Sequence, residues 1–135
     1  MPKRFFDLYP LDQVVVPVNP DHDLDDVPTA GKALAKVRWR DLKTIQQAGA
    51  KRRAVQAYLA SISFADEQLG RVLDALDASS FQHNTIVVLW SDHGWHLGEK
   101  QLWAKRSLWE ESTRVPLILA GPGLAKGQCS RSVQL

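Results

Sequence analysis

Asp92 and His93 stand side by side in VVLWSDHGWHLGEK, residues 87–100, with Gly94 behind them and His96 and Glu99 a few positions on. A carboxylate oxygen and an imidazole nitrogen both ligate divalent cations, and a turn at a strand end can splay neighbouring side chains toward one point. Gly94 allows unusual backbone angles and close approach of other chain. Two ligands do not complete a metal site, so further donors must come from elsewhere. His96 is a candidate for the mouth of a substrate site, and Glu99 for an anchor that fixes the loop by hydrogen bonds. Lys105, in LWAKRSLWEE, lies between Trp103 and Trp109. An ammonium held among aromatics near a cation is a compact positive donor suited to receiving an oxyanion.

These residues need a scaffold. TIVVLW, residues 85–90, and PLILAG, residues 116–121, are apolar runs without alternation. Such runs suit strands covered on both faces, as in a parallel sheet. Asp92 and His93 fall just past the first run, where ligands sit in open α/β sheets. Residues 91–115 then form a loop carrying most of the unusual side chains. Upstream, Val55, Tyr58, Leu59, Ile62, Ala65, Leu69, Val72, Leu73 and Leu76 recur at spacings of three and four. They predict one amphipathic helix over 50–78. Long helix, buried strand, loop and buried strand make an α/β arrangement.

The stretch from Ala30 to Gln47 is helix-compatible but weakly patterned. Residues 1–29 read as an extended Pro/Asp-rich arm, with one short strand at Gln13–Val16, because Pro10, Pro17, Pro20 and Pro28 forbid a continuous helix. DHDLDD, residues 21–26, has neither the glycine nor the terminal glutamate of a calcium-binding loop and reads as a solvated turn. Residues 30–135 form the second unit.

Bulk properties exclude several classes. Among 135 residues, 44% are hydrophobic and 24% charged, as in ordinary globular chains. A net charge of +2 without an aromatic-interleaved basic stripe gives no case for nucleic acid. One cysteine, Cys129, rules out a disulfide within the chain and a multi-thiolate metal site. No apolar run reaches the ~20 residues of a membrane span.

NTIVVLWSDHGWHLGEKQLWAKRSLWEESTRVPLILAGPG resembles the sulfatase family of the alkaline-phosphatase superfamily, within it the iduronate-2-sulfatase and choline-sulfatase-like group. RFFDLYPLD, DDVPTAGKAL and AYLASISFADEQLGRVLDAL share the likeness, which covers nearly the whole chain. The resemblance implies an alkaline-phosphatase-like sandwich with a mostly parallel sheet flanked by helices. It also implies a calcium ion held partly by Asp92 and His93, with Lys105 reaching the sulfate of a sulfate-ester substrate. In the family the nucleophile is formylglycine, made from cysteine or serine in a Cys-x-Pro-x-Arg type motif. Cys129 does not match, since Arg131 follows it by two positions with no proline between. The early aspartate pair of the family is absent as well.

The chain therefore reads as an internal part of a sulfatase domain. It is expected to be inactive by itself and to need the remainder of that domain as partner. A zinc phosphodiesterase or phosphonate hydrolase of the same superfamily, and a non-catalytic truncated product, are the alternatives. Relatives are often exported or lysosomal, and the chain shows no signal segment.

Overall fold

The computed structural model describes residues 1–36 and 39–129. Residues 37–38, within the helix-compatible stretch, and 130–135, at the end of the second unit, lie outside the described residues.

The apolar stripe produces helix α4, Lys51–Asp77, within a residue of the expected bounds at either end. Its first half is covered. Val55 and Ala60 are buried, and Phe64 meets Phe5 edge-to-face at 5.3 Å. The second half is less covered among the described residues: no residue of it is fully buried, and Val72 is 66% exposed.

The cover over the first half is the N-terminal arm, which is not extended throughout. Helix α1, Lys3–Asp7, forms between Pro2 and Pro10 and carries a Lys3–Asp7 ion pair one turn apart at 2.6 Å. Tyr9 Oη and Ser63 Oγ lie 2.7 Å apart, and the Gln56 amide donates to the Tyr9 carbonyl at 2.7 Å. The strand expected at Gln13–Val16 is absent. Val14 is buried, but its carbonyl accepts from Arg52 Nη1 at 2.6 Å instead of from a neighbouring strand. A long cationic side chain on α4 thus satisfies a backbone group that a sheet ladder would otherwise take.

Helices α2, Thr29–Lys36, and α3, Trp39–Gln47, fill the weakly patterned region. Leu24 and Val27 of the arm, Ala35 of α2 and Leu102 form a small buried cluster, with Trp109 packed against it. This cluster lies under the segment that joins the two main strands and gives that segment a floor.

Strands β1, Val87–Trp90, and β4, Leu117–Ala120, arise from the two apolar runs. They pair antiparallel, with Val87 opposite Ala120 and Trp90 opposite Leu117. The mostly parallel sheet expected for these runs is not seen among the described residues. An apolar run reports burial, not direction, and parallel neighbours need a crossover across the sheet face. Here the connection folds over locally and returns. It holds β2, His96–Leu97, paired antiparallel with β3, Trp103–Ala104, and a 3-10 turn, Glu99–Gln101, between them. Helix α5, Glu110–Thr113, precedes the return into β4. Val88 and Trp90 lie on one face of β1, and with Ile86 just before it and Ile118 and Leu119 of β4 they are more than half exposed. The two-faced cover expected for these strands is not seen among the described residues. The class is α/β, with two small antiparallel sheets. No helix among the described residues is long and apolar enough to cross a membrane.

Candidate functional site

The chain leaves β1 at Trp90 and turns at once. Ser91 Oγ donates to the His93 carbonyl at 2.7 Å, closing the turn that displays Asp92 and His93. Gly94 N–H donates to the Ser112 carbonyl at 2.8 Å, which holds the turn against α5. A Cβ on residue 94 would overlap the Glu111 carbonyl oxygen. Glycine is needed here for close approach; its φ is not positive.

Asp92 Oδ2 and His93 Nε2 lie 3.4 Å apart. His93 Nδ1 is 2.7 Å from the Gly94 carbonyl, which can only accept, so Nδ1 carries a proton. Nε2 is 2.6 Å from Lys105 Nζ. A charged ammonium can only donate, so Nε2 presents its lone pair. Two acceptors this close repel each other unless positive charge sits beside them. Lys105 Nζ, 4.0 Å from Asp92 Oδ2, supplies it here. The backbone carbonyl behind His93 thus sets the ring so that the nitrogen lone pair and the carboxylate point to one place.

Lys105 is displayed by an unusual backbone. Ala104 and Arg106, on either side, both have positive φ, 72° and 78°. For residues with a Cβ this is uncommon and is held by surrounding structure. Asp92, His93 and Lys105 line an open cleft of about 610 Å³, together with Arg106, Ser107, Ser112 and Thr113.

His96 is not on that cleft. It has no exposed surface, and its Nε2 lies 2.7 Å from Ser107 Oγ. Among the described residues it therefore lies in the interior and not at the substrate mouth expected for it. His96 faces inward from β2, and packing more chain around it would only bury it further. Glu99 accepts from the Leu97 N–H at 2.6 Å, as a loop anchor should. Trp95 stacks near Tyr58, with ring centres 6.0 Å apart, and lies 6.3 Å from the His93 ring. Cys129 is an exposed free thiol.

Sequence reasoning missed the residues that hold the loop down. Asp23, in the stretch read as a solvated turn, accepts the Lys100 N–H at 2.7 Å and Lys100 Nζ at 2.8 Å. Burial alone would raise the Asp23 pKa. The Lys100 side-chain and backbone hydrogen bonds and its charge outweigh burial and hold the carboxyl below its ordinary value. The Asp23 hydrogen bond in turn holds the Lys100 ammonium above its ordinary value, against burial. Lys100 itself sits at φ 51°, so the pair secures a left-handed backbone. Asn19, which hydrogen-bonds Lys51, packs against Gly98. No local signal marks these contacts. Ser107, Ser112 and Thr113 were also missed as cleft residues, although hydroxyls close to a candidate oxyanion lysine offered a hint.

Among the described residues no group of three or more His, Cys, Asp or Glu side chains is placed to hold a metal ion. The Asp92–His93 pair fits part of a divalent site by donor chemistry: one anionic oxygen and one oriented imidazole lone pair. That mixed set suits zinc as well as calcium.

A carboxylate, an imidazole and an ammonium thus gather at the end of a strand on an α/β scaffold. The sulfatase family model matches residues 19–134, and the chain belongs to the sulfatase family. Membership implies an alkaline-phosphatase-like α/β fold. The chain is 46% identical over 134 residues to a sulfatase of Formosa agariphila, covering 95% of this chain and 25% of that protein. It is 39% identical over 136 residues to the iduronate 2-sulfatase of Mus musculus, covering 90% and 24%. With the choline-sulfatase of Rhizobium meliloti it shares 46% identity over 76 residues, covering 56% and 15%. The chain spans about a quarter of the length of the first two relatives.

Proposed function

We propose that this chain forms part of the active site of a calcium-dependent sulfatase that hydrolyses a sulfate ester, with a sugar sulfate as the favoured substrate class. The observation that carries the reading is the 3.4 Å approach of Asp92 Oδ2 and His93 Nε2 beside Lys105. Asp92 and His93 would hold the calcium ion together with ligands from the rest of a complete sulfatase domain. When bound, the ion supplies fixed positive charge toward the sulfate oxygens.

In this reading each residue of the chain has a separate task. The Gly94 carbonyl keeps the His93 proton on Nδ1, so Nε2 stays an electron-pair donor. Asp92 supplies the negative charge that retains the cation. Lys105 balances charge spread over the sulfuryl oxygens, a stabilisation that grows as the ester bond breaks. The nucleophile, formylglycine in the family, is supplied from outside this chain, because Cys129 lacks the required proline and arginine spacing. The chain by itself is therefore inactive. The sugar-sulfate preference draws support from likeness to the iduronate 2-sulfatase.

The test uses a complete sulfatase domain carrying these residues. Lys105→Ala is expected to lower sulfate-ester turnover by about 10²-fold while calcium stays bound. A rate near that of the parent would end the assignment. So would zinc-dependent turnover of a phosphodiester in place of the sulfate ester.

A further inference from the structure

His96 is a large side chain with no exposed surface, and it is polar. Its position is unusual in a second way, because it reaches the chain on both sides of Lys105. Its backbone pairs with Ala104 in the β2–β3 ladder, and its ring meets Ser107. The segment between these two fixed points contains the positive-φ residues Ala104 and Arg106 with Lys105 between them.

The hydrogen-bond chemistry at Ser107 is nearly determined. His96 Nδ1 is buried without a partner among the described residues. An orphaned buried N–H is the rarer and costlier outcome, so the bare lone pair belongs on Nδ1 and the proton on Nε2. Nε2–H then donates to Ser107 Oγ at 2.7 Å, and the Trp109 N–H donates to the same oxygen at 3.2 Å. Both acceptor positions of the hydroxyl are thus filled from within the fold. Its one remaining capability is its own proton, and Ser107 lines the cleft beside Lys105.

We propose that Ser107 is a neutral hydrogen-bond donor to a sulfate oxygen in the cleft, and that His96 is the positioning residue that turns the hydroxyl toward it and sets the backbone of Lys105. This rests on the sulfate-ester reading of the cleft. A neutral donor beside the lysine adds direction to a contact that the ammonium, with its three rotatable protons, makes without much angular preference.

Two measurements on the complete domain test it. In protein labelled with ¹⁵N-histidine, the His96 ring is expected to show its proton on Nε2; a proton on Nδ1 overturns the proposal without any substitution. In titrations with inorganic sulfate, Ser107→Ala is expected to weaken binding about tenfold. His96→Leu should do the same. His96→Gln, whose amide N–H falls near the place of Nε2–H, should recover binding to within about threefold of the parent. Unchanged sulfate affinity in Ser107→Ala, with affinity lost in Lys105→Ala, overturns this inference and leaves the cleft reading standing. Unchanged affinity in Lys105→Ala overturns both.

Discussion

Two lysines of the same loop, each beside an aspartate, have opposite characters. Lys100 and Asp23 are 2.8 Å apart, with side chains 23% and 21% exposed. Lys105 and Asp92 are 4.0 Å apart, with 43% and 75% exposed. In the first pair the carboxylate takes two hydrogen bonds from one residue, and its hydrogen-bonding capacity is used inside the fold. In the second, the carboxylate faces a cleft, and the lysine's short contact is with the neighbouring His93 Nε2 at 2.6 Å. The first is a structural clamp; the second lines an open cleft and, in the proposed reading, receives a ligand. Two ion pairs of the same residue types thus differ in how far the carboxylate's lone pairs are already engaged within the fold.

The contrast can be broken from either side. The largest effect is expected from Gly94→Ala, because the new methyl meets backbone of the Glu111–Ser112 segment and not the movable end of a side chain. Unfolding by urea should show a loss of about 3 kcal/mol, the upper range for overpacking. Separation of α5 from the Asp92 turn should appear as lost amide protection at Gly94.

Next comes the clamp. Asp23→Ala leaves the half-buried Lys100 ammonium and its amide without their partner. A loss of about 2 kcal/mol is expected, within the range for hydrogen bonds to charged groups. Hydrogen exchange at the Lys100 amide should speed up while the His93 amide is little affected; equal acceleration at both would mean the clamp and the open site are one unit.

The same pair sharpens the comparison through pH. The folded Asp23 carboxyl lies below its ordinary value of 3.8. Its contribution is therefore complete above that value and fades as pH falls through the folded pKa. Denaturation midpoints measured below pH 4 should fall more steeply for the parent than for Asp23→Asn. Parallel curves would remove the clamp's electrostatic role. The smallest effect is expected from Arg114→Ala. Its ion pair with Glu110 spans 3.1 Å, but the side chains are 75% and 72% exposed, so under ~0.5 kcal/mol should be lost.

What was legible in the sequence follows from the range of each interaction. Helix α4 was legible nearly to the residue because its stripe repeats over many turns. The existence of β1 and β4 was legible from β-branched apolar runs, but their direction depends on the path between them, which composition does not encode. Asp92 and His93 could be brought together on paper because they are adjacent, and Lys105 because flanking aromatics drew notice. His96 could not be placed, since a histidine on a two-residue strand gives no periodicity to show which way it faces. The Asp23–Lys100 contact joins residues 77 positions apart and left no local trace. The arm read as extended because its prolines forbid a continuous helix, and that pattern gave no sign that Phe5 and Val14 would be buried.

The central claim is that Asp92 and His93 share one cation. Calorimetric titration of calcium into a complete sulfatase domain carrying this chain tests it most directly. The account predicts that Asp92→Ala and His93→Ala each weaken calcium binding by at least about tenfold, and that Lys105→Ala does not. Calcium affinity unchanged by both of the first two substitutions would contradict it.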